Sequence, residues 1–388
     1  MTHPARLHQA EQLQRRHPDL GIEIVLDPEP DGKPATLRTA KLAWSKIREG
    51  ATHHMVLQED VQLCTDFSSL MHHGLQVAPE GAISFFACWT MSTAQAIRLA
   101  AVCGASWTPV VDSWTPTLAL VLPAEVARGF AGFAEQYASD KPDNRAMAEY
   151  LADRDLTTYV SVPNLVEHRP TQSLLLNDLL YGARHSTVFP ASADVGPAPF
   201  TERIATPPAV ANLGRGDFES FCHYDPLIGW PRSSTAPGPE VLMTYGMTAV
   251  ELGEAFASDL DYHPEATANG LSESLLFQLW TAAFIQGHVA RAMLCDQGSL
   301  DFDAALDGNR WARTALSTFP ASALRRTYPR AVLARLAEQL TPLCISAMRS
   351  GFSAVDHWPG LAALWRPDQH EIRPRWNQGD KVTAEALS

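Results

Sequence analysis

The chain has 388 residues and a formal charge of −13, from 43 acidic against 30 basic side chains. That balance excludes a general nucleic-acid binder, which needs a basic face to displace counterions; an anionic nucleotide would need a bound cation or local Arg and Lys to offset repulsion. Hydrophobic residues at 46% and charged residues at 19% are the balance of a folded soluble protein, and the length points to two domains.

Met1 to Arg16 is polar and rich in His, Gln and Arg, without the apolar core of a signal peptide, and Pro4 to His17 reads as a helix. Ile22 to Leu26 reads as a strand running into the turn-rich Asp27-Pro28-Glu29-Pro30-Asp31-Gly32. Apolar residues at Leu37, Ala40, Ala43, Trp44 and Ile47 give Thr36 to Glu49 a helical period, with Thr36 as a candidate cap. His54 to Gln58 reads as a strand, Asp66 to Val77 as a helix, Ala82 to Cys88 as a buried strand and Thr93 to Val102 as a helix. Leu118 to Leu122 is another buried strand; a helix follows Pro123 to about Tyr137, a second covers Asn144 to Leu151, and Thr158 to Val162 is a strand. Strands alternating with helices imply an α/β layer structure with a mostly parallel sheet flanked by helices.

From Pro190 to Pro239, Pro, Gly, Ser and Thr are frequent and periodicity fades. From Val241 to about Phe352 the pattern is helical, clearest at Ser272 to Leu294 and Ala331 to Met348. The expected organisation is therefore an α/β unit over 1–185, an irregular connection over 186–240, an all-α region over 241–366 and a polar tail over 367–388. The six cysteines, Cys64, Cys88, Cys103, Cys222, Cys295 and Cys344, include no C-x-x-C pair, and most sit in apolar runs. They read as reduced and buried, in a cytoplasmic protein. No run of eighteen apolar residues occurs, so no membrane span is expected.

The segment His53-His54-Met55-Val56-Leu57-Gln58-Glu59-Asp60 is an apolar strand that stops at two adjacent carboxylates. In open α/β sheets ligands bind beyond the carboxyl ends of strands. Carboxylates there can hold Mg²⁺ or Mn²⁺, which bridges protein to diphosphate; they equally suit a solvated turn or a helix cap. A second strand, Tyr159-Val160-Ser161-Val162, is followed by Pro163 and then by Glu167-His168, and a His beyond a strand end is placed to be a metal ligand or a solvated loop residue. The doublets His53-His54 and His72-His73 do not chelate as units where they lie on a strand, since neighbours there point to opposite faces.

Together these segments resemble the GT-A glycosyltransferases. "QEDVQLC" after its strand is similar to the metal-binding strand end written "LEDDV" in the lipopolysaccharide-biosynthesis and collagen-galactosyl branch, and "YVSVPNLVEH" to the stretch that ends many GT-A catalytic domains with a metal-binding His. "AISFFACW", "WTPTLALVLPAE" and "KPDNRAMAEYL" follow in the family's order, and the resemblance covers about residues 20 to 175. It implies transfer of a sugar from a nucleoside-diphosphate donor, of UDP type, to an acceptor hydroxyl, with Mn²⁺ or Mg²⁺. Asp60 and His168 would hold the cation, Glu59 would support it or contact the sugar or ribose, and Asp143 would be the base for an inverting transfer, with Asp140 as its rival. Asp27 would read the donor's base or ribose and Arg38 its phosphates; as local residues, Asp27 also suits a turn, Arg38 the surface and Asp143 a helix cap. Trp44, Trp89, Trp107 and Trp114 fill core or line the acceptor cleft.

The chain departs from the family where Gln58 precedes Glu59-Asp60 and Val61 follows, which leaves one ligand carboxylate out of the pattern. The family opens with a buried strand, and Met1-Thr2-His3 is too short for one, so either the true start lies upstream or the sheet lacks that strand. The C-terminal helices resemble nothing nameable and would bind acceptor or mediate homo-oligomers. Two other readings compete: a GT-A-like module without catalysis that serves binding or assembly, and a nucleotidyltransferase, which would carry a Gly-rich basic loop after its first strand.

Overall fold

The structure is a computed structural model, and it describes residues 1–90, 92–169, 182–190, 195–196, 199–213, 220–224, 234–244, 246–268, 270–295 and 297–358. The expected tail over 367–388 lies outside the described residues. A short 3-10 turn leads into α1 (Leu7–Arg16), followed by α2 (Thr36–Ser45), β1 (His53–Leu57), β2 (Val61–Leu63), α3 (Phe67–Val77), β3 (Ala82–Ser84) and α4 (Ser92–Val102). Then come β4 (Trp107–Pro109), β5 (Ala119–Pro123), α5 (Ala124–Ala134), α6 (Asp143–Ala152), β6 (Thr158–Ser161) and β7 (Val166–His168).

Five of these strands form one sheet in the order β1-β5-β3-β6-β4. Only β3 and β6 pair in parallel; β1–β5, β5–β3 and β6–β4 are antiparallel. The architecture is a mixed α/β sheet with helices, and the expectation of a mostly parallel sheet is corrected. A fully buried apolar run reads the same whichever way its neighbour points, so the residue pattern carried no direction. The directions still leave the carboxyl ends of β1, β3 and β6 at one edge of the sheet. β2 and β7 pair separately as an antiparallel ribbon beyond that edge, with Val61 opposite His168.

The sheet is buried on both faces because β5 alternates. Leu120 and Leu122 pack with Leu37, Trp44, Val56, Phe130, Met147 and Tyr150 of one core, while Ala119 and Val121 belong to the core built on Phe67, Ile97, Leu99 and Val160. Each of the two leucines removes about 1.5–3 kcal/mol of apolar surface from water. Two local expectations fail. Among the described residues Ile22–Leu26 joins no ladder and makes one parallel bridge, Leu26 to Thr2. Thr36 does not cap its own helix, whose N-cap is Ala35; its hydroxyl accepts instead from the Asp143 amide at 3.3 Å, tying the start of α2 to that of α6.

Beyond residue 200, Ala209–Leu213 (β8), Ser220–Tyr224 (β9) and Ser234–Pro237 (β10) form an antiparallel sheet inside the segment whose periodicity fades. The helices α7 (Gly238–Thr244), α8 (Ala249–Asp261), α9 (Glu273–Cys295), α10 (Phe302–Gly308), α11 (Arg310–Leu324) and α12 (Arg330–Ser353) complete the described chain. The long α9 is buried over most of its middle and meets α12 backbone to backbone: Gly287 abuts the Met348 carbonyl and Gly351 the Phe284 carbonyl, where a side chain would collide. On its other side α9 meets the small sheet, with Gln286 Nε2 donating to the Ala211 carbonyl at 2.9 Å. The C-terminal helices share one apolar cluster with α3, α4 and the main sheet. Among the described residues no helix is long and apolar enough to cross a membrane. Cys64, Cys88, Cys103 and Cys344 are free and buried as expected; Cys295, near the end of α9, is free but exposed.

Candidate active site

The candidate site forms where β1 stops. Gln58 N–H donates to the Leu118 carbonyl at 3.1 Å, one residue past the β1–β5 ladder, and the chain then turns into β2. Ribbon pairing sets what comes next. The register puts Val61 opposite His168, and the Arg169 amide donates to the Asp60 carbonyl at 2.8 Å. Asp60 and His168 are therefore fixed side by side, with Oδ2 of Asp60 3.3 Å from Nε2 of His168. Each residue is only 6% exposed. The contact is close enough for electrostatic attraction, yet its alignment leaves His168 Nε2 without a hydrogen bond, and Asp60 Oδ1 likewise has no partner among the described residues.

Arg6 supplies the counter-charge. Its Nη1 lies 2.8 Å from Glu59 Oε1 and 3.3 Å from Asp60 Oδ2. Burial alone would raise the Asp60 pKa. The nearness of His168, with the guanidinium groups of Arg6 and Arg184, outweighs it and holds the carboxyl below the ordinary aspartate value. The sequence alone does not single out Arg6, because it belongs to the polar first turns and reaches carboxylates far along the chain.

His168 is positioned by neighbours whose supporting roles only the structure shows. Glu167 Oε1 accepts the amides of His168 at 2.8 Å and Ser186 at 3.0 Å, and Oε2 accepts the Ser186 hydroxyl at 2.9 Å. His185 Nδ1 stands 3.4 Å from Glu167 Oε1, and its ring meets Trp89 edge-on. Buried Asn164 braces the same stretch: its Oδ1 accepts the amides of Thr187 and Val188 at 3.2 and 3.3 Å. The segment around residues 185–188 thus backs the ribbon.

The other expected site residues are placed apart from this pair. Asp27 and Arg38 bind each other: Nε to Oδ1 at 2.6 Å and Nη2 to Oδ2 at 2.8 Å, with Arg38 also donating to the carbonyls of Glu29 and Lys33. The Arg38 guanidinium keeps the Asp27 carboxyl below its usual range, and Asp27 in turn raises Arg38. Arg38 is buried and not a surface residue. Asp27 Oδ1 also accepts the Glu29 amide at 3.1 Å, so the turn-forming role is real as well. Asp143 is the first residue of α6 and is buried. The next residue, Asn144, accepts the Thr115 amide at 3.1 Å, in the approach to β5, so this helix start lies at the same sheet edge as Asp60 without touching it. Asp140 is exposed and paired with Lys33 at 2.8 Å. Trp44 is core, edge-on to Phe130 and His54, and Trp107 stacks on Phe200. His54, His72 and His73 each bond a main-chain carbonyl, those of Ala43, Ser68 and Phe200, which gives them structural employment.

Among the described residues no group of three or more His, Cys, Asp or Glu side chains is gathered as a metal site. Asp60 and His168 are two donors, one carboxylate and one imidazole, each with a buried atom that lacks a hydrogen bond. A small divalent cation that keeps several waters and binds substrate phosphate needs no more than one or two protein ligands, so this donor set fits one. No protein-family model matches the chain, and no curated protein or solved structure matches it either. Fold and site define a mixed α/β protein with a C-terminal helical region and a buried carboxylate–imidazole pair at its strand ends.

Proposed function

We propose that the chain is a GT-A-like glycosyltransferase that moves a sugar from a UDP-type donor to an acceptor hydroxyl with Mn²⁺ or Mg²⁺. The observation that carries this reading is the closure of Asp60 onto His168 at the edge where three strands end, with unsatisfied buried atoms on both. Asp60 and His168 would hold the cation, which when bound supplies Lewis-acid stabilisation of the departing diphosphate. Arg6 neutralises Glu59 and Asp60 in the free protein and turns to phosphate when donor arrives, leaving Glu59 to accept a sugar or ribose hydroxyl. The bond from the anomeric carbon to the phosphate oxygen breaks, a bond to the acceptor oxygen forms, and Asp143, at the same sheet edge, takes the hydroxyl proton. Asp27 and Arg38 serve as a locked pair that shapes the 27–33 loop beside the donor.

A second reading, a GT-A-like binding or assembly module without catalysis, is favoured by the ion pairs that Arg6 makes with both carboxylates. The deciding experiment is Mn²⁺-dependent hydrolysis of a panel of nucleotide sugars together with nucleotide binding by calorimetry. Turnover that disappears in Asp60→Asn supports transfer chemistry. Neither turnover nor nucleotide binding would retire it in favour of the module.

A further inference from the structure

A cavity of about 250 Å³ lies beside β1, the strand at one edge of the main sheet. Its apolar walls are Ile22 and Val25 on one side and Met55, Leu57 and Met71 on the other. The main chain of the first wall is held elsewhere: the Ile22 carbonyl accepts from Gln14 Nε2 at 2.7 Å and the Val25 carbonyl from the Thr2 amide at 2.9 Å. The polar groups of the lining are mostly committed. Lys46 and Glu23 offset each other at 3.3 Å. The Met1 amino group donates to the Leu57 carbonyl at 2.7 Å, and burial lowers its pKa to about 6. His54 Nε2 bonds the Ala43 carbonyl at 3.0 Å, and burial lowers the pKa of the ring, so it is a neutral part of the wall. His53 Nδ1 stands 3.1 Å from the Thr52 hydroxyl. Arg48 is the unbalanced charge. Its Nη2 donates to the Gly21 carbonyl at 2.6 Å, and among the described residues no carboxylate pairs with it. Gly21 has a φ of +55°, and a Cβ there would lie 3.2 Å from Arg48 Nη1, so the missing side chain seats the guanidinium against the turn. A neutral carbonyl takes part of the donor fork and leaves the charge and the other N–H groups for an anion.

We propose that this cavity binds an apolar monocarboxylate of about eight carbons, its chain between the walls of Ile22 and Val25 and of Met55, Leu57 and Met71, and its carboxylate on Arg48. The volume sets the length, since at about 30 Å³ for each water-sized group the space holds roughly eight. The walls set the character of the chain: they are aliphatic, and the two methionines adapt their thioether arms to its shape. Charge sets the head group. One seated guanidinium matches one carboxylate in a bidentate contact, whereas a polyphosphate would call for several cations and would meet Glu23 at the rim. The inference stands independently of the proposed transferase activity.

The test titrates the full chain with octanoate, octan-1-ol and inorganic phosphate, read by calorimetry and by NMR of methyl-labelled methionine. Octanoate is expected to bind with a Kd below about 1 mM and to move the methyl signals of Met55 and Met71, assigned through Met55→Leu and Met71→Leu. Octan-1-ol and phosphate should each bind at least tenfold more weakly. Arg48→Met, a change at an exposed position, should weaken octanoate at least tenfold and leave octan-1-ol as it was. Val25→Phe, which fills the cavity, should abolish octanoate binding in a protein that thermal melting shows to be folded. No octanoate binding overturns the proposal, and so does binding that leaves the Met55 and Met71 signals unmoved. Octan-1-ol binding as tightly as octanoate, or octanoate affinity unchanged in Arg48→Met, would show that no head group is recognised and overturns it. Phosphate binding as tightly as octanoate would assign Arg48 to a bare anion and overturn it too.

Discussion

His168 Nε2 stands 3.3 Å from Asp60 Oδ2 because β2 and β7 pair with Val61 opposite His168. Neither β1 nor β6 would achieve this alone; the ribbon beyond the sheet edge does. A slip of one residue in that ribbon would turn the His168 ring to the other face, so the register and the site are one property.

The Asp60 carboxyl titrates lower in the folded protein than its unfolded value of 3.8. For an acid shifted this way, the stabilisation is fully present above the unfolded value and is lost as pH falls through the folded one. Asp60→Asn is therefore expected to cost about 1–3 kcal/mol at pH 7, the worth of hydrogen bonds and contacts to a charged group. The gap to the parent should narrow steadily below pH 4. Urea unfolding at intervals from pH 7 to 2.5 checks it; a gap that stays constant into acid would show that Asp60 is not the group being titrated.

Arg6 holds one positive charge against both carboxylates. Replacing it with methionine keeps the stem but removes that charge, which at about 4 Å is worth between about 1 and 4 kcal/mol depending on solvent access. Arg6→Met should then bind Mn²⁺ at least fivefold more tightly in the absence of nucleotide, while weakening the affinity for a nucleoside diphosphate. Calorimetric titration with Mn²⁺ alone, then with UDP, reads both effects. Unchanged Mn²⁺ affinity would mean that the cation does not bind at Asp60.

The juxtaposed pair, Asp60 and His168, was legible in the sequence while its supports were not, and the reasons differ residue by residue. Asp60 stood out because an apolar run stops abruptly at a carboxylate, a boundary that period and polarity both mark. His168 stood out for the same reason after β6. Arg6 was invisible, since its partners come together only when the chain closes over 53 residues to Glu59. Strand direction was equally invisible: β5 is as apolar as a parallel central strand, and its antiparallel placement between β1 and β3 follows from the path of the chain around residues 110–118. The strands β8 to β10 were hidden by short length in a Pro- and Gly-rich segment. Ile22–Leu26 shows the opposite case, a strand-like sequence that joins no ladder among the described residues and bridges Thr2 at Leu26.

Asp27 and Arg38 form a bidentate pair in which both side chains are at most 10% exposed. Removing one partner leaves the other buried without compensation, which typically costs 3–5 kcal/mol in a core and somewhat less near a loop. Arg38→Ala is expected to lose about 2–4 kcal/mol, and the double variant with Asp27→Ala to lose clearly less than the sum of the two single changes. Chemical denaturation of the four proteins of this cycle measures the coupling; additive losses would show that the pair does not act as a unit.

Arg98, in the middle of α4, is buried where the sheet-bearing half meets α11. It donates to the Ala315 carbonyl at 3.1 Å and to the hydroxyls of Thr318 and Ser322 at 2.9 and 3.2 Å, and its guanidinium lies over the Phe319 ring. No carboxylate pairs with it among the described residues, and burial lowers its pKa to about 9. For a cationic group shifted downwards, the folded state resists the charged form, so a stability cost is present in full below pH 9 and is relieved as pH rises from there towards the ordinary arginine value. Thr318 and Ser322 keep other acceptors, the carbonyls of Thr187 and Ala315 for the first and of Phe319 for the second, so deleting the guanidinium strands neither hydroxyl. Arg98→Met, with a stem of similar reach, should therefore leave stability at pH 7 unchanged within about 1 kcal/mol or raise it, as replacing buried charges by apolar groups often does. The balance should shift towards the parent above pH 9. Thermal melts of both proteins at pH 7 and pH 10 check this, and a loss above about 3 kcal/mol at pH 7 would mean that the hydrogen bonds to α11 outweigh the cost of burying the charge.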